Sequence, residues 1–342
     1  MTVKLPVDLR SDTVTRPTPA MLEAMSAAPV GDDVFMEDPT VDALEKKAAA
    51  IFGMEAGLFC PSGTMTNQIG IKILTRSQEE LICDHTSHVY LYEGGGLAFN
   101  SGLSVWLLQG DRGRITAAQV AESVRADNVH YPVSSVVSLE NTHNRGGGSI
   151  YNLEEIRQIR NVCDINRMHL HLDGARIFNA LAEAPYSAKD IGSLFDTVSV
   201  CLSKGLGAPV GSVLLSSSAR IKEARRVRKV LGGGMRQAGY LAAAGIYALD
   251  HHVYRLSDDH RRAKVLGAAM SELPFVNEVM PVDTNIVVSK FNNDYPLDQF
   301  ISKLESHQIK TVPFGKQALR MVTHLDFTDD MLDYTLMILK GL

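Results

Sequence analysis

Two residues of this 342-residue chain stand where side chains can do covalent chemistry. Lys204 lies in Ser203-Lys204-Gly205-Leu206-Gly207, just past the apolar, β-branched run Thr197 to Leu202. That run reads as a short buried strand. The lysine is then held at a strand-to-loop edge, beside glycines that leave room for a ligand. Upstream, a second strand-like run, Met168 to Leu172, closes in Asp173-Gly174-Ala175-Arg176. An acid closing one strand and a lysine closing another is the layout expected for pyridoxal 5'-phosphate (PLP). The lysine forms a Schiff base with the cofactor aldehyde, and the acid keeps the pyridine nitrogen protonated.

Other residues fit around that pair. Ser62-Gly63-Thr64 follows the strand-like run Gly57 to Cys60 and opens a helix. Glycine there allows close backbone approach to a phosphate, and the helix start offers free N–H groups; alone, the same residues are an ordinary helix cap. His88 lies just past Leu81-Ile82-Cys83, where an imidazole could stack on a cofactor ring or relay a proton, and His85 competes for that role. Arg176 and Arg320 are candidates to grip a substrate carboxylate through paired hydrogen bonds; a structural ion pair is the alternative for each. His169 and His171 share one strand face, but no third residue of fitting spacing accompanies them, so no metal is expected.

The elements that must position these residues alternate along the chain. Further strand-like runs are Glu80 to Cys83, Val105 to Leu108, Val136 to Leu139 and Gly211 to Leu215, with helical patterns at Thr64 to Leu74, Ala117 to Val124, Leu153 to Val162 and Ala219 to Val230. This predicts an α/β fold with a mostly parallel sheet and helices on both faces, whose strand C-termini share one ligand-binding edge. After Gly232-Gly233-Gly234 come two helical stretches, Gln237 to Asp250 and Tyr254 to Leu273, and beyond Pro274 short strands and helices. The expected division is an N-terminal segment and large cofactor-binding domain over residues 1–249 and a small α+β domain over 250–342.

Composition narrows the function class. Hydrophobic residues make up 45% and charged residues 21%, ordinary for a globular enzyme, and the formal net charge is −5. Such a balance offers no electrostatic reason to expect nucleic acid or an anionic membrane as partner. The helix carrying Arg220, Lys222, Arg225, Arg226, Arg228 and Lys229 then reads as a solvated face. No apolar stretch is long enough to span a bilayer, and Met1 to Arg10 resemble neither a signal nor a transit peptide. The four cysteines form no C-x-x-C pair and read as buried free thiols. A cytoplasmic location is the resulting expectation.

Taken together, several segments resemble the L-threonine aldolases, fold type I (aspartate aminotransferase-like) PLP enzymes acting on β-hydroxy-α-amino acids. They are Asp8-Leu9-Arg10-Ser11-Asp12-Thr13-Val14-Thr15, Val30-Gly31-Asp32-Asp33-Val34, Glu140-Asn141-Thr142-His143-Asn144, Asp173-Gly174-Ala175-Arg176-Ile177-Phe178-Asn179, Cys201-Leu202-Ser203-Lys204-Gly205-Leu206-Gly207, Gly232-Gly233-Gly234-Met235-Arg236-Gln237 and Leu319-Arg320-Met321-Val322-Thr323-His324-Leu325. The resemblance implies Lys204 as the Schiff-base lysine, Asp173 at the pyridine nitrogen, Gly63 and Thr64 at the phosphate, and His88 rather than His85 stacked on the ring. It implies His130 as a second active-site histidine, and Ser11, Arg176 and Arg320 on the substrate carboxylate. Lys229 and Arg236 would approach an active site near a subunit interface.

The implied reaction is retro-aldol cleavage of L-threonine or L-allo-threonine to glycine and acetaldehyde, in a homo-oligomer, a dimer of dimers, with sites at the dimer interface. Other PLP chemistries, namely serine hydroxymethyl transfer, β-elimination or transamination, and an inactive PLP-binding homologue are the competing readings. Two departures from the family pattern stand out. Phe35-Met36 occupies the place of the usual Tyr-Gly, and Arg145-Gly146-Gly147-Gly148-Ser149-Ile150 replaces a Gly-Lys-Val stretch.

Overall fold

The computed structural model describes residues 6–342. Seven strands build the main sheet: β1 (Ala56–Cys60), β2 (Glu79–Asp84), β3 (Ser104–Leu108), β4 (Val133–Glu140), β5 (His169–Gly174), β6 (Thr197–Cys201) and β7 (Ser212–Ser216). They lie in the order β1-β7-β6-β5-β4-β2-β3. β7 is antiparallel to both its neighbours, and the other adjacent pairs are parallel. β6 and β7 are buried along their whole length, and their sequences are correspondingly built from apolar and small uncharged residues. The parallel strands β2, β4, β5 and β6 therefore end on one edge, carrying His88, Glu140, Asp173 and Lys204 just at or past their C-termini.

Two helices precede β1, Pro19–Ser26 and Pro39–Phe52, and the apolar alternation from residue 57 onward does not foreshadow them. Their signal is in the caps. Thr18 and Asp38 accept first-turn N–H groups, proline follows at once, and Gly53 ends the second helix with φ of 64°. Asp38 also accepts the Gly239 N–H at 2.8 Å, which pins the start of the helix Gly239–His251 to the same point.

The second layer is a four-stranded antiparallel sheet of β8 (Val276–Val279), β9 (Ile286–Phe291), β10 (Val312–Pro313) and β11 (Ala318–Val322), ordered β10-β11-β9-β8. Helices Leu256–Ser271, Leu297–Ser306 and Asp329–Lys340 close it around a second core that includes Leu266, Val287, Phe300 and Leu319. Val7 and Leu9, fully buried, complete this core, and Val7–Asp8 pairs in parallel with Ile309–Lys310. Val7 to Leu9 thus pack with the C-terminal unit. The consequence for the site is that Ser11 to Thr13 hang between the two cores.

Three of the six cations on the helix Ser218–Val230 are held by acids of the same chain: Arg220 by Asp196, Arg225 by Glu45 and Arg228 by Asp33. All four cysteines are buried and unpaired. Among the described residues, no helix is long and apolar enough to cross a membrane.

Candidate active site

Six of the residues singled out in the sequence, Ser11, His88, Asp173, Arg176, Lys204 and Arg320, line one cavity of about 150 Å³. Thr13, Glu140 and Asn144 line it too. A larger cavity of about 500 Å³ lies between the N-terminal segment and the small domain, but it contains none of the strand-end residues, so the chemistry belongs to the smaller one. The sheet supplies the acid, the lysine and the imidazole. β11 supplies Arg320, and the N-terminal segment supplies Ser11.

On the side expected to take a carboxylate, Arg176 is paired along one edge of its guanidinium. Its Nε and Nη2 donate to the two oxygens of Asp12, each at 2.7 Å, with both side chains buried. Burial alone would push the Asp12 pKa up, but Arg176, with Lys204 and His324 beyond it, holds the carboxyl well below the usual range. Arg320 is only partly engaged. Nη1 donates to Asn144 Oδ1 at 2.9 Å and Nη2 to the Arg10 carbonyl at 3.0 Å, while the buried Nε has no partner. Burial and the neighbouring Arg176 bring its pKa down to about 10. On this side two guanidiniums share one carboxylate, Asp12, and an unpartnered guanidinium N–H remains, which fits an incoming anion. Ser11 Oγ stands beside it, accepting from the Thr13 N–H and hydroxyl.

On the cofactor side, Asp173 is 2% exposed and accepts only from neutral donors, Asn67 Nδ2 at 2.9 Å and the Ala175 N–H at 3.1 Å. A buried carboxylate so placed suits a protonated pyridine nitrogen. Asn67 is oriented from behind by His171. Burial holds the His171 pKa down to about 4, so the ring is neutral, and its Nε2 faces Asn67 Oδ1 at 3.2 Å. The other ring nitrogen meets Thr197 Oγ1 at 2.8 Å. His171 is therefore a support for Asn67, whereas His169 turns to Asp196 instead.

His88 Nδ1 meets Glu93 Oε1 at 3.0 Å, and Glu93 also accepts from Asn67 Nδ2 at 2.8 Å and Gln68 Nε2 at 2.6 Å. A carboxylate on Nδ1 selects the tautomer with its proton there and leaves Nε2 free to accept. Burial opposes a charged imidazole at His88, but the Glu93 hydrogen bond and the nearby Asp173 and Glu140 outweigh it and raise the pKa. His88, Glu93 and Asp173 place ligand-type atoms within 4.8 Å of one another, and their hydrogen bonds already join them as one set. At the phosphate end, Ser62 Oγ takes the Met65 N–H, and the Gly63 and Thr64 N–H groups make no bond to the described residues. A Cβ on Gly63 would sit 2.5 Å from Cys201 Sγ, at the end of β6, so only glycine lets the helix start come this close to the lysine loop.

Gly63 and Thr64 stand beside the lysine loop without lining this cavity, and three further residues implied by the resemblance lie away from it within one chain. His130 is exposed, its N–H on Asn128 Oδ1. Arg236 pairs with Asp32 on the surface, and Lys229 borders a separate depression with Val34 and Met36. His85 points to Asp84 and the Leu108 carbonyl, away from the cavity. Phe35 and Met36 are both about 70% exposed, and Met36 adopts φ of 61°, a conformation that explains the glycine common at this position. Arg145 stacks on Phe314 behind Arg320. Spacing in the sequence points to none of Asp12, Asn67, Glu93, Glu140 and Asn144; the signal for Asp12, Glu140 and Asn144 was their membership in family-like segments.

A strand-end lysine, a buried acid without a cationic partner and a glycine-opened helix on one sheet edge define a PLP-dependent enzyme of fold type I. A family model described as "Beta-eliminating lyase" matches residues 8–294. The low specificity L-threonine aldolase of Escherichia coli K12 is 41% identical over 329 residues, 95% of this chain and 96% of the relative. The probable low-specificity L-threonine aldolase 2 of Arabidopsis thaliana is 39% identical over 337 residues, 96% and 95% of the two chains. A solved structure of Leishmania major threonine aldolase shares the fold with a TM-score of 0.85 at 20% identity, covering 98% of this chain and 99% of that one. The chain belongs to the beta-eliminating lyases and, within them, to the L-threonine aldolase family. It is a PLP-dependent lyase.

Proposed function

We propose that the protein cleaves L-threonine, L-allo-threonine or both between Cα and Cβ, giving glycine and acetaldehyde. The observation that carries this reading is the single cavity in which Lys204 and Asp173 face Arg176 and Arg320. Lys204 is the amine that would hold PLP. Bound PLP supplies the sink for the electron pair of the breaking Cα–Cβ bond.

The chain's own groups do the rest. Asp173 would face the pyridine nitrogen of the cofactor, its carboxylate oriented by Asn67. Gly63 and Thr64 would hold the phosphate with backbone N–H groups. Arg320 Nε, Arg176 and Ser11 Oγ bind the substrate carboxylate, which orients the amino acid so that its side chain, not its carboxylate, is the group released. His88 Nε2 accepts the β-hydroxyl proton while Glu93 holds the proton on Nδ1. Positioned acid–base help of this kind is typically worth about 10²–10⁴-fold. His130 is the second candidate for that proton.

Assembly as a homo-oligomer, a dimer of dimers, belongs to the same proposal, with His130, Lys229 and Arg236 completing sites across the interface. Exposed apolar side chains close to these residues in sequence, Val129, Tyr131, Val230 and Tyr240, support it. Buried free thiols support a cytoplasmic setting, with roles in threonine catabolism and glycine supply. The test is acetaldehyde release from PLP-loaded protein given L-threonine and L-allo-threonine in parallel. Release is expected, and the ratio of kcat/KM values reports the preference at Cβ. No release from either, with the cofactor's absorption intact, would sink the reaction assignment while leaving the fold and cofactor standing.

A further inference from the structure

Glu140 ends β4 directly across from Asp173 at the end of β5 and is 5% exposed. Its two oxygens have separate tasks. Oε2 accepts the backbone N–H of His88 at 2.8 Å, and Oε1 accepts the backbone N–H of Asn144 at 2.8 Å. Asn144 Oδ1 then accepts from Arg320 Nη1 at 2.9 Å. One carboxylate thus touches the segment carrying the imidazole and the segment holding the carboxylate-binding arginine. Among the described residues its one salt-bridge-range partner is the buried His143, whose Nε2 lies 3.6 Å from Oε2 and 3.8 Å from Asp84 Oδ1. His143 Nδ1 accepts the Gly146 N–H at 3.1 Å, so the ring proton is on Nε2 and faces both acids.

We infer that Glu140 is a positioning residue for the cleavage proposed above: it sets His88 and the Asn144–Arg320 strap in one geometry, so that base and carboxylate clamp move as a unit. The residue type follows from the donors. Two N–H groups arriving from two sides need two acceptor oxygens. A carboxamide offers one, and its NH2 would face the second N–H. Hydrogen bonds to a charged acceptor are also the stronger ones, which suits holding two loops across a cavity that must admit a substrate.

The variant that tests this is Glu140→Gln, with two readouts. Amide hydrogen–deuterium exchange on the apo-protein is expected to rise about tenfold in at least one of the segments around His88 and Asn144. In PLP-loaded protein, KM for threonine and the Kd for glycine, read from the cofactor's absorbance change, are expected to rise and kcat to fall, each about tenfold. Wild-type exchange at both amides overturns the inference. So does a variant that only loses thermal stability, with KM, kcat and glycine affinity unmoved. Should Glu140→Gln fail to fold, Asn144→Ala isolates the strap: glycine affinity must fall while exchange at the His88 amide stays as in wild type, and unchanged affinity overturns the strap. A wild-type protein that releases no acetaldehyde would refute the cleavage reading alone, because the exchange comparison does not depend on turnover.

Discussion

At the scale of the residue, several charges of the site already have partners: Asp12 holds Arg176, and Glu93 holds His88. Arg320 is bonded through both Nη atoms but has a buried Nε without an acceptor among the described residues. If Arg320 binds the substrate carboxylate, Arg320→Ala is expected to raise KM for threonine by about 10- to 100-fold with cofactor still bound, the range of a charged hydrogen bond. Steady-state kinetics check this; an unchanged KM would remove Arg320 from the clamp. His88 gives a pH prediction. As a base it must be neutral, and its pKa is raised above the ordinary 6.5. Activity should therefore climb with pH through that raised value. The hydrogen bond to Glu93 contributes stability that is full below about pH 6.5 and is lost as pH rises through the folded pKa. Glu93→Gln should move the rising limb of the kcat/KM profile to lower pH and lower its plateau at least tenfold, because the Nδ1 proton is no longer held by a charge. A limb that stays in place would point to His130 as the titrating base.

At the scale of the element, what matters is how a short N-terminal segment reaches a sheet edge. The strand Val7–Asp8 anchors it in the small domain, the Leu9 carbonyl accepts the Val322 N–H at 2.9 Å, and Asp12 reaches Arg176 in the large one. Asp12 is thus a joint between two cores. Its folded pKa is depressed, so its stabilisation is present above the unfolded value near 4 and is lost as pH falls through the folded one. Asp12→Asn should cost about 3–5 kcal/mol, since it leaves a buried arginine without its charge partner. Urea unfolding of the apo-protein measures this, and a cost under about 1 kcal/mol would mean that the pair rearranges freely.

At the scale of the whole molecule, residues implied to act at the site lie outside the cavity of their own chain. Arg236 pairs with the exposed-side Asp32, and His130 sits on the surface. If Arg236 serves a neighbouring site, two inactive variants should complement each other. Lys204→Ala lacks the cofactor amine but retains Arg236, and Arg236→Ala the reverse. Mixed assemblies then contain some sites with both groups intact, and activity should return to about a quarter of wild type for random mixing of dimers. No recovery from co-expressed chains that demonstrably mix would place Arg236 outside the partner's site.

The sequence alone was enough for the class of fold and the chemical poles of the site. β-branched runs define the strands, and a lysine and an acid just past two of them must share an edge when the strands run parallel. The caps of the early helices were legible too, in Asp38-Pro39 and Gly53, although apolar periodicity did not reveal them. Local pattern could not assign partners. Asp12 meets Arg176 across 164 positions, Asn67 meets Asp173 across 106, and Asn144 meets Arg320 across 176. Such pairs depend on which elements pack together, and nothing within a strand or helix period encodes them. The same limit explains Glu93 and Glu140. As sequence they are two acids among 39, and only the tertiary structure shows each buried, without a lysine or arginine partner, and bonded to the groups that surround the cavity.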